Sequence, residues 1–389
     1  MIKRQMQDLL KEMMNSFPVV TVTGPRQSGK TTLVRQTYPE MDYISLEDLD
    51  NRDYAEKDPR DFLARFSHSV IIDEIQKVPS LLSYIQTIVE SEQRNGRFIL
   101  TGSNQFEYLS SIAQSLAGRT GILKLLPFSY SEIYKKKYIP QNEVIYKGFY
   151  PRIFDQNIRP ELFLSSYLET YVEKDIRSIT KVKDLMQFYR FLQLCAGRTG
   201  QILNFSSIGN ELGINNKTVK EWVSIAVASY ILFLLPPFYK NYNKRIRKSP
   251  KLYFLDVGLA SHLIGIQNSD QLKTHPLKGE LFETFIVIEF LKNRYNQGKR
   301  SNLYYFRDNN GNEVDLIIDS GLRPIPIEIK SAQTLNTEFF KGLKYFGNLE
   351  NNLRQTILVM GTDIKQKRNE FSVYGYPLID ELFSQLTKD

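Results

Sequence analysis

Thr23–Thr32 reads TGPRQSGKTT, and its neighbours decide the fold of the first third of the chain. Gly24, Gly29, Lys30 and Thr31 satisfy G-x-x-x-x-G-K-[ST], the pattern of a phosphate-binding loop. Upstream, Pro18–Val22 (PVVTV) is a short apolar, β-branched run that reads as a buried strand; downstream, Thr31–Thr37 (TTLVRQT) opens like a helix. That context is what the motif needs. The glycines let backbone N–H groups turn towards phosphates, and the helix start adds the positive end of its dipole. The reading assigns Gly24, Pro25, Arg26, Gln27, Ser28, Gly29, Lys30, Thr31 and Thr32 to a bound nucleotide. Lys30 reaches its outer phosphates, and the Thr31 hydroxyl ligates Mg²⁺.

Working outward, Asp42–Leu46 (DYISL) reads as a second strand, and SVIIDE as a third that ends in Asp73–Glu74. In a parallel sheet the carboxylates of such a strand emerge at the C-terminal edge, beside the phosphate loop. Asp73 then belongs to the Mg²⁺ shell and Glu74 polarises the attacking water. Arg97–Thr101 (RFILT) is another strand, followed by Gly102, Ser103 and Asn104. Asn104 is the preferred sensor of the terminal phosphate, with Ser103 as its rival. Arg119 precedes the last apolar run, Ile122–Phe128. It is assigned to transition-state charge, either in cis or across an oligomer interface. Five strands with intervening helices predict a doubly wound parallel α/β domain.

The segments GPRQSGKTTL, VIIDEIQKVPSLL, FILTGSN, SLAGR and LLPFS together resemble a large group of bacterial and archaeal AAA-type ATPases. In that group a C-terminal domain of unclear function follows the ATPase. The resemblance continues through GFYPRIF, YLETYVEKDI and KSPKLYFLDVGLA and spans essentially the whole chain. It implies ATP as the nucleotide, with Mg²⁺, and slow hydrolysis; it supplies no cellular role.

The middle of the chain is mostly helical by pattern. Trp222–Tyr239 is uncharged over about the length of a bilayer span, but its serines and Pro236–Pro237 favour a helix running into a buried strand. Within Phe205–Leu232, a helix at Ile208–Leu212, a turn at Gly213–Asn216 and a second helix from Lys217 form a helix-turn-helix pattern. The second helix presents Lys217 and Lys220 outward. The basic stretch that follows reads as a winged hairpin, with Lys244, Arg245, Arg247, Lys248 and Lys251 suited to DNA phosphates. A winged-helix module that serves only packing or protein contacts is the competing account.

Further on, Gly279–Asn293 is a helix with Glu280 and Glu283 in its first turns. Leu303–Arg307, Glu313–Ile318 and Ile325–Lys330 are three strands, and the period of two puts Glu328 and Lys330 on one face. Carboxylates on neighbouring elements hold Mg²⁺ for phosphodiester hydrolysis, and a lysine stabilises the developing charge. The set Glu283, Asp315, Glu328 and Lys330 resembles the PD-(D/E)xK nuclease motif, with Glu280 competing with Glu283 for the helix position.

At 389 residues the chain is long enough for several domains. Expected are a P-loop AAA-type ATPase domain at 1–135, a helical linker or lid at 136–200, a winged-helix-like module at 201–268 and a restriction-endonuclease-like α/β domain at 269–389. One cysteine excludes an internal disulfide and a cysteine-based zinc site, and points to the cytoplasm. The formal net charge of +8 favours a polyanionic partner. These features lead to an ATPase acting on DNA, with a nuclease-like domain either active or vestigial. The alternative is a nucleotide-dependent switch that engages a protein partner or a promoter. A small-molecule kinase leaves the basic middle unexplained. Monomer and homo-oligomer both stay open.

Overall fold

The computed structural model describes residues 2–102, 115–172, 185–239, 248–321, 323–350 and 352–388. They form two compact units. One is Met1–Phe128 with Ala228–Tyr230 and Arg294–Lys299; the other is Ser129–Val227 with Ile231–Asn293 and Arg300–Asp389.

In the first unit, β1 (Val19–Thr23), β2 (Asp42–Ser45), β3 (Val70–Asp73), β4 (Phe98–Gly102) and β5 (Thr120–Lys124) lie in the order β2-β3-β4-β1-β5. Every neighbouring pair is parallel. Parallel neighbours require crossovers, and crossovers cover both sheet faces, so the strands must be apolar throughout. The three inner strands follow this most closely: β1, β3 and β4 are buried residue for residue, whereas the edge strands β2 and β5 are partly exposed. Val20, Val22, Ile71 and Ile99 meet Leu10 and Met14 of the Gln7–Ser16 helix and Leu33 and Val34 of the Lys30–Thr37 helix. On the opposite face Val70, Ile72, Phe98 and Leu100 meet Phe62, Leu81, Leu82 and Ile85. Each such side chain contributes roughly 1.5–3 kcal/mol on burial. This is the doubly wound sheet that the sequence predicts, with β4 inserted between the acidic strand and β1. The last strand starts earlier than the apolar run suggests, because Thr120 pairs with Val19 and its hydroxyl meets that of Thr21 at 3.0 Å.

In the second unit, the Asn204 side chain accepts from the Ser207 N–H and caps the Phe205–Leu212 helix, which ends at Gly213 with φ 67°. The next helix runs Asn216–Ala228. A Cβ at Gly209 would stand 2.7 Å from the Ile214 carbonyl oxygen, so glycine permits this close turn. Trp222 packs edge-on against Phe188 and Phe191 at 5.3 and 5.6 Å. β6 (Leu232–Leu235) follows and pairs antiparallel with β7 (Lys251–Phe254). The apolar stretch from Trp222 is thus the end of a helix and then a strand. No described helix is long and apolar enough to cross a membrane.

The same unit contains a six-stranded mixed sheet, ordered β12-β13-β11-β10-β9-β8. Its strands are β8 (Leu303–Arg307), β9 (Glu313–Ile318), β10 (Ile325–Lys330), β11 (Thr356–Met360), β12 (Lys365–Arg368) and β13 (Phe371–Gly375). β8, β9 and β10 run antiparallel to one another; β10, β11 and β13 are parallel. The Lys278–Asn296 helix buries Leu281, Phe282, Phe285, Ile286 and Ile288 and carries Glu283.

Candidate functional site

The phosphate loop leaves the C-terminal end of β1. Its turn uses positive φ at Gly24 (152°), Gln27 (60°) and Gly29 (90°), and a Cβ at Gly24 would stand 2.1 Å from the Leu125 carbonyl oxygen. Only glycine fits there. Lys30, buried at the start of its helix, donates from Nζ to the carbonyls of Gly24 (3.0 Å) and Pro25 (2.8 Å), so its ammonium is folded over the loop. Pro25 and Ser28 are buried, Arg26 and Gln27 half-buried, and Thr32 exposed.

Asp73, at the end of β3, faces this loop. Its Oδ2 accepts from the Thr31 hydroxyl at 2.9 Å and from the Tyr43 hydroxyl at 2.8 Å, while Oδ1 accepts from the Thr101 hydroxyl. The Thr31 hydroxyl and the Asp73 carboxylate are hard oxygen donors meeting at one point, a donor set that fits Mg²⁺. Burial, and then Asp73, push the Tyr43 hydroxyl up to about 12, so it remains a donor throughout the physiological range. Glu74 sits next along at φ 57°, in the left-handed region, and its Oε2 accepts from the Gln76 amide. A non-glycine residue held there costs about 1–3 kcal/mol.

Arg4, Tyr43 and Thr101 were not singled out in the sequence. Arg4 is 6% exposed; it donates to the Ser28 and Leu126 carbonyls, both at 2.7 Å, and so braces the loop from below. No motif announces it. Tyr43 sits in DYISL, where the period of two would have set it apart from its neighbours.

Arg119 requires a correction. It precedes Thr120, which pairs with Val19 at the start of β1, whereas the phosphate loop departs after Thr23. Five strand residues, roughly 16 Å of chain, separate the two edges, and its Nη2 pairs with Glu90 Oε1 at 2.5 Å. Arg119 cannot serve this chain's own phosphate loop in cis. Ser103 and Asn104 lie outside the described residues, as do Lys244, Arg245 and Arg247. Lys217 and Lys220 are exposed near the start of the Asn216–Ala228 helix, with Lys220 Nζ 5.6 Å from the Phe205 ring centre.

Lys251 also departs from expectation. Sequence reasoning put it on an exposed wing against DNA phosphates. Instead its side chain is 3% exposed, and Nζ lies 3.0 Å from Glu283 Oε1 and 2.5 Å from Glu313 Oε1. Alternation along β7 places Tyr253 on the same face, and its hydroxyl donates to Glu283 Oε1 at 2.5 Å. Lys330 Nζ lies 2.6 Å from Glu328 Oε1 and 3.3 Å from Asp315 Oδ2, and Asp315 Oδ2 also accepts from the Ile329 N–H at 2.8 Å. The structure therefore brings Glu283, Asp315, Glu328 and Lys330 together, and adds Lys251, Tyr253 and Glu313. Glu283, not Glu280, is the helix residue that enters the cluster.

Electrostatics in this cluster are tense. Burial, with Asp315 adding to it against the pull of Lys251, pushes Glu283 up to about 7. Burial and Asp315 push Glu328 up to about 8. Burial opposes the charge of Lys330, but Asp315 and Glu328 outweigh it and raise its pKa. Glu328 Oε2 is buried without a hydrogen-bond partner. Among the described residues no three carboxylate, histidine or cysteine side chains stand ready-made as a metal cage. Mg²⁺ commonly takes only one or two protein carboxylates, and Asp315 with Glu328 fits that requirement.

Comparison with known proteins divides the chain in three. Residues 16–134 match the model of an AAA domain, 138–270 that of a domain of unknown function (DUF8612), and 278–379 that of another domain of unknown function (DUF4143). An uncharacterized protein of Mycobacterium tuberculosis is 27% identical over 330 residues, 84% of this chain and 73% of its own length. An uncharacterized protein of Haemophilus influenzae is 23% identical over 309 residues, 71% of this chain and 75% of its own. Among solved structures, a Walker-type ATPase of Pyrococcus abyssi aligns with a TM-score of 0.46 at 16% identity, covering 68% of this chain and 96% of that one. The stretch 16–134 thus matches an AAA domain and holds the Thr31–Asp73 contact that a phosphate loop and an acidic strand end would make in a nucleotide-binding domain.

Proposed function

We propose that the chain is an Mg-ATP-hydrolysing protein that acts on DNA, with the carboxylate cluster of its second unit as a nuclease-like centre. The observation that carries this reading is the convergence of Glu283, Asp315, Glu328 and Lys330 from one helix and two strands. At the nucleotide site, Lys30 neutralises the outer phosphates, Thr31 and Asp73 hold the metal position, and Glu74 orients the attacking water for in-line displacement. Mg²⁺, when bound, spreads the charge that develops on the phosphate oxygens. At the second site, Asp315 and Glu328 hold a divalent cation and Lys330 stabilises charge at the scissile phosphate. Lys217 and Lys220, at the start of a helix followed by an antiparallel strand pair, support phosphate contact by a winged-helix module.

One experiment tests both halves. ATP turnover is measured with and without linear, plasmid and branched DNA, and cleavage is followed with Mg²⁺ or Mn²⁺ in wild type, Lys30→Ala, Asp315→Ala and Lys330→Ala. Cleavage lost in Asp315→Ala and Lys330→Ala supports the nuclease reading; turnover indifferent to every DNA, with no cutting, sinks it.

A second reading has its own support. Two lysines already neutralise much of the carboxylate charge, as they would in a scaffold, and this favours a nucleotide-dependent switch engaging a protein partner or a promoter. In that case Lys30→Ala abolishes partner capture while Asp315→Ala leaves it intact.

A further inference from the structure

Four carboxylates, those of Glu283, Glu313, Asp315 and Glu328, share their space with the ammonium groups of Lys251 and Lys330 and with the Arg307 guanidinium, 3.3 Å from Glu313 Oε2, which leaves a formal excess of one negative charge. The carboxylates are not equivalent. Glu283 Oε1 is taken by both Lys251 Nζ and the Tyr253 hydroxyl, and Glu313 Oε1 by Lys251 Nζ. Glu328 is different: it is 8% exposed, and its Oε2 has no partner. A buried carboxylate oxygen without a donor is costly to keep unless something arrives to meet it. Lys251 and Arg307 balance Glu283 and Glu313, whereas Asp315 and Glu328 face Lys330 alone, so the excess charge and the open Glu328 oxygen fall on the Asp315–Glu328 side.

We propose that Lys251 is a built-in counter-cation that closes the Glu283–Glu313 side of the cluster and confines divalent-cation binding to a single ion at the Asp315–Glu328 side. This rests on the reading of the cluster as a metal centre given above. It explains why β7 carries a lysine in an otherwise apolar strand: the ammonium stands where a second ion would otherwise bind. The arrangement differs from a two-ion site, in which both sides of the cluster would be open to metal.

The test is Mn²⁺ binding to the full-length, nucleotide-free protein, followed by loss of the free-ion paramagnetic resonance signal, with Asp315→Asn as the baseline for sites elsewhere. Wild type is expected to bind one Asp315-dependent ion. Glu328→Gln should lower that affinity at least tenfold, whereas Glu283→Gln should change it less than threefold, because Glu283 is already committed to Lys251. Lys251→Met should raise the Asp315-dependent count from one to two. Equal losses in Glu283→Gln and Glu328→Gln, or a Lys251→Met protein that still binds one ion with unchanged affinity, would overturn the role of Lys251 while leaving the metal centre standing. If no variant differs from the Asp315→Asn baseline, the metal-centre reading itself fails. Should Lys251→Met not fold, the contrast between Glu283→Gln and Glu328→Gln decides the matter alone.

Discussion

Replacing Glu328 by Gln should stabilise the protein, and only at neutral to alkaline pH. Burial, and then the Asp315 charge, disfavour the ionised form of Glu328 and push its carboxyl up from the ordinary 4.5 to about 8. The raised pKa means that the folded state binds the proton more tightly than the unfolded chain does. The favourable contribution is therefore complete below about pH 4.5 and is lost as pH climbs through 8. The displacement from 4.5 to about 8, at about 1.4 kcal/mol per unit, amounts to on the order of 5 kcal/mol of strain at pH 9. Part of this will be shared with Glu283, which also titrates high. Gln keeps the shape and removes the charge. Urea unfolding in EDTA, at pH 5 and at pH 9, is the assay. The midpoint of the variant should match wild type at pH 5 and exceed it at pH 9. A gain of equal size at both values, or a loss at pH 9, would refute the account of this cluster as a set of mutually strained carboxylates.

Other outcomes follow from the nucleotide site. Asp73→Asn should keep nucleotide affinity within a few-fold but lower Mg-dependent turnover at least a hundredfold, roughly 3 kcal/mol of transition-state stabilisation; comparing calorimetry with phosphate release separates the two effects. Arg4→Ala removes two charge-assisted bonds to loop carbonyls, each worth about 1.5–3 kcal/mol, so the melting temperature should fall and nucleotide affinity with it; an unchanged affinity would show that Arg4 braces the fold alone. Arg119→Ala should leave single-chain nucleotide affinity and turnover unaltered under dilution, since its register places it at the far edge of the sheet; a turnover loss that appears only at high protein concentration would mark a contribution across an oligomer.

What the sequence disclosed was local. The phosphate loop and Asp73 were legible because one motif and one apolar strand each fix their residues within a few positions. β8, β9 and β10 begin and end at the residues that alternation predicts, since each is a short run bounded by polar turns. What stayed hidden depends on partners distant in the chain. Arg119 looked catalytic from its place in the order of segments, and only the pairing of Thr120 with Val19 shows which edge it occupies. Lys251 was grouped with its basic neighbours by composition, although K-L-Y-F as a strand puts Lys251 and Tyr253 on one side. The choice between Glu280 and Glu283 needed the position of β7 as well as the helical period.

The position of β7 has a consequence for how this chain changes over generations. Its lysine and tyrosine lie within the stretch matched by one family model, while the acidic residues they hold, Glu283 and Glu313, lie within the next. Neither stretch can be traded for a homologous one without re-matching charges across the join, so the two should be inherited as a pair. A substitution at Lys251 in some relative is then a signpost to a compensating change near Glu283 or Glu313, and the absence of either lysine or acid should predict the absence of the other.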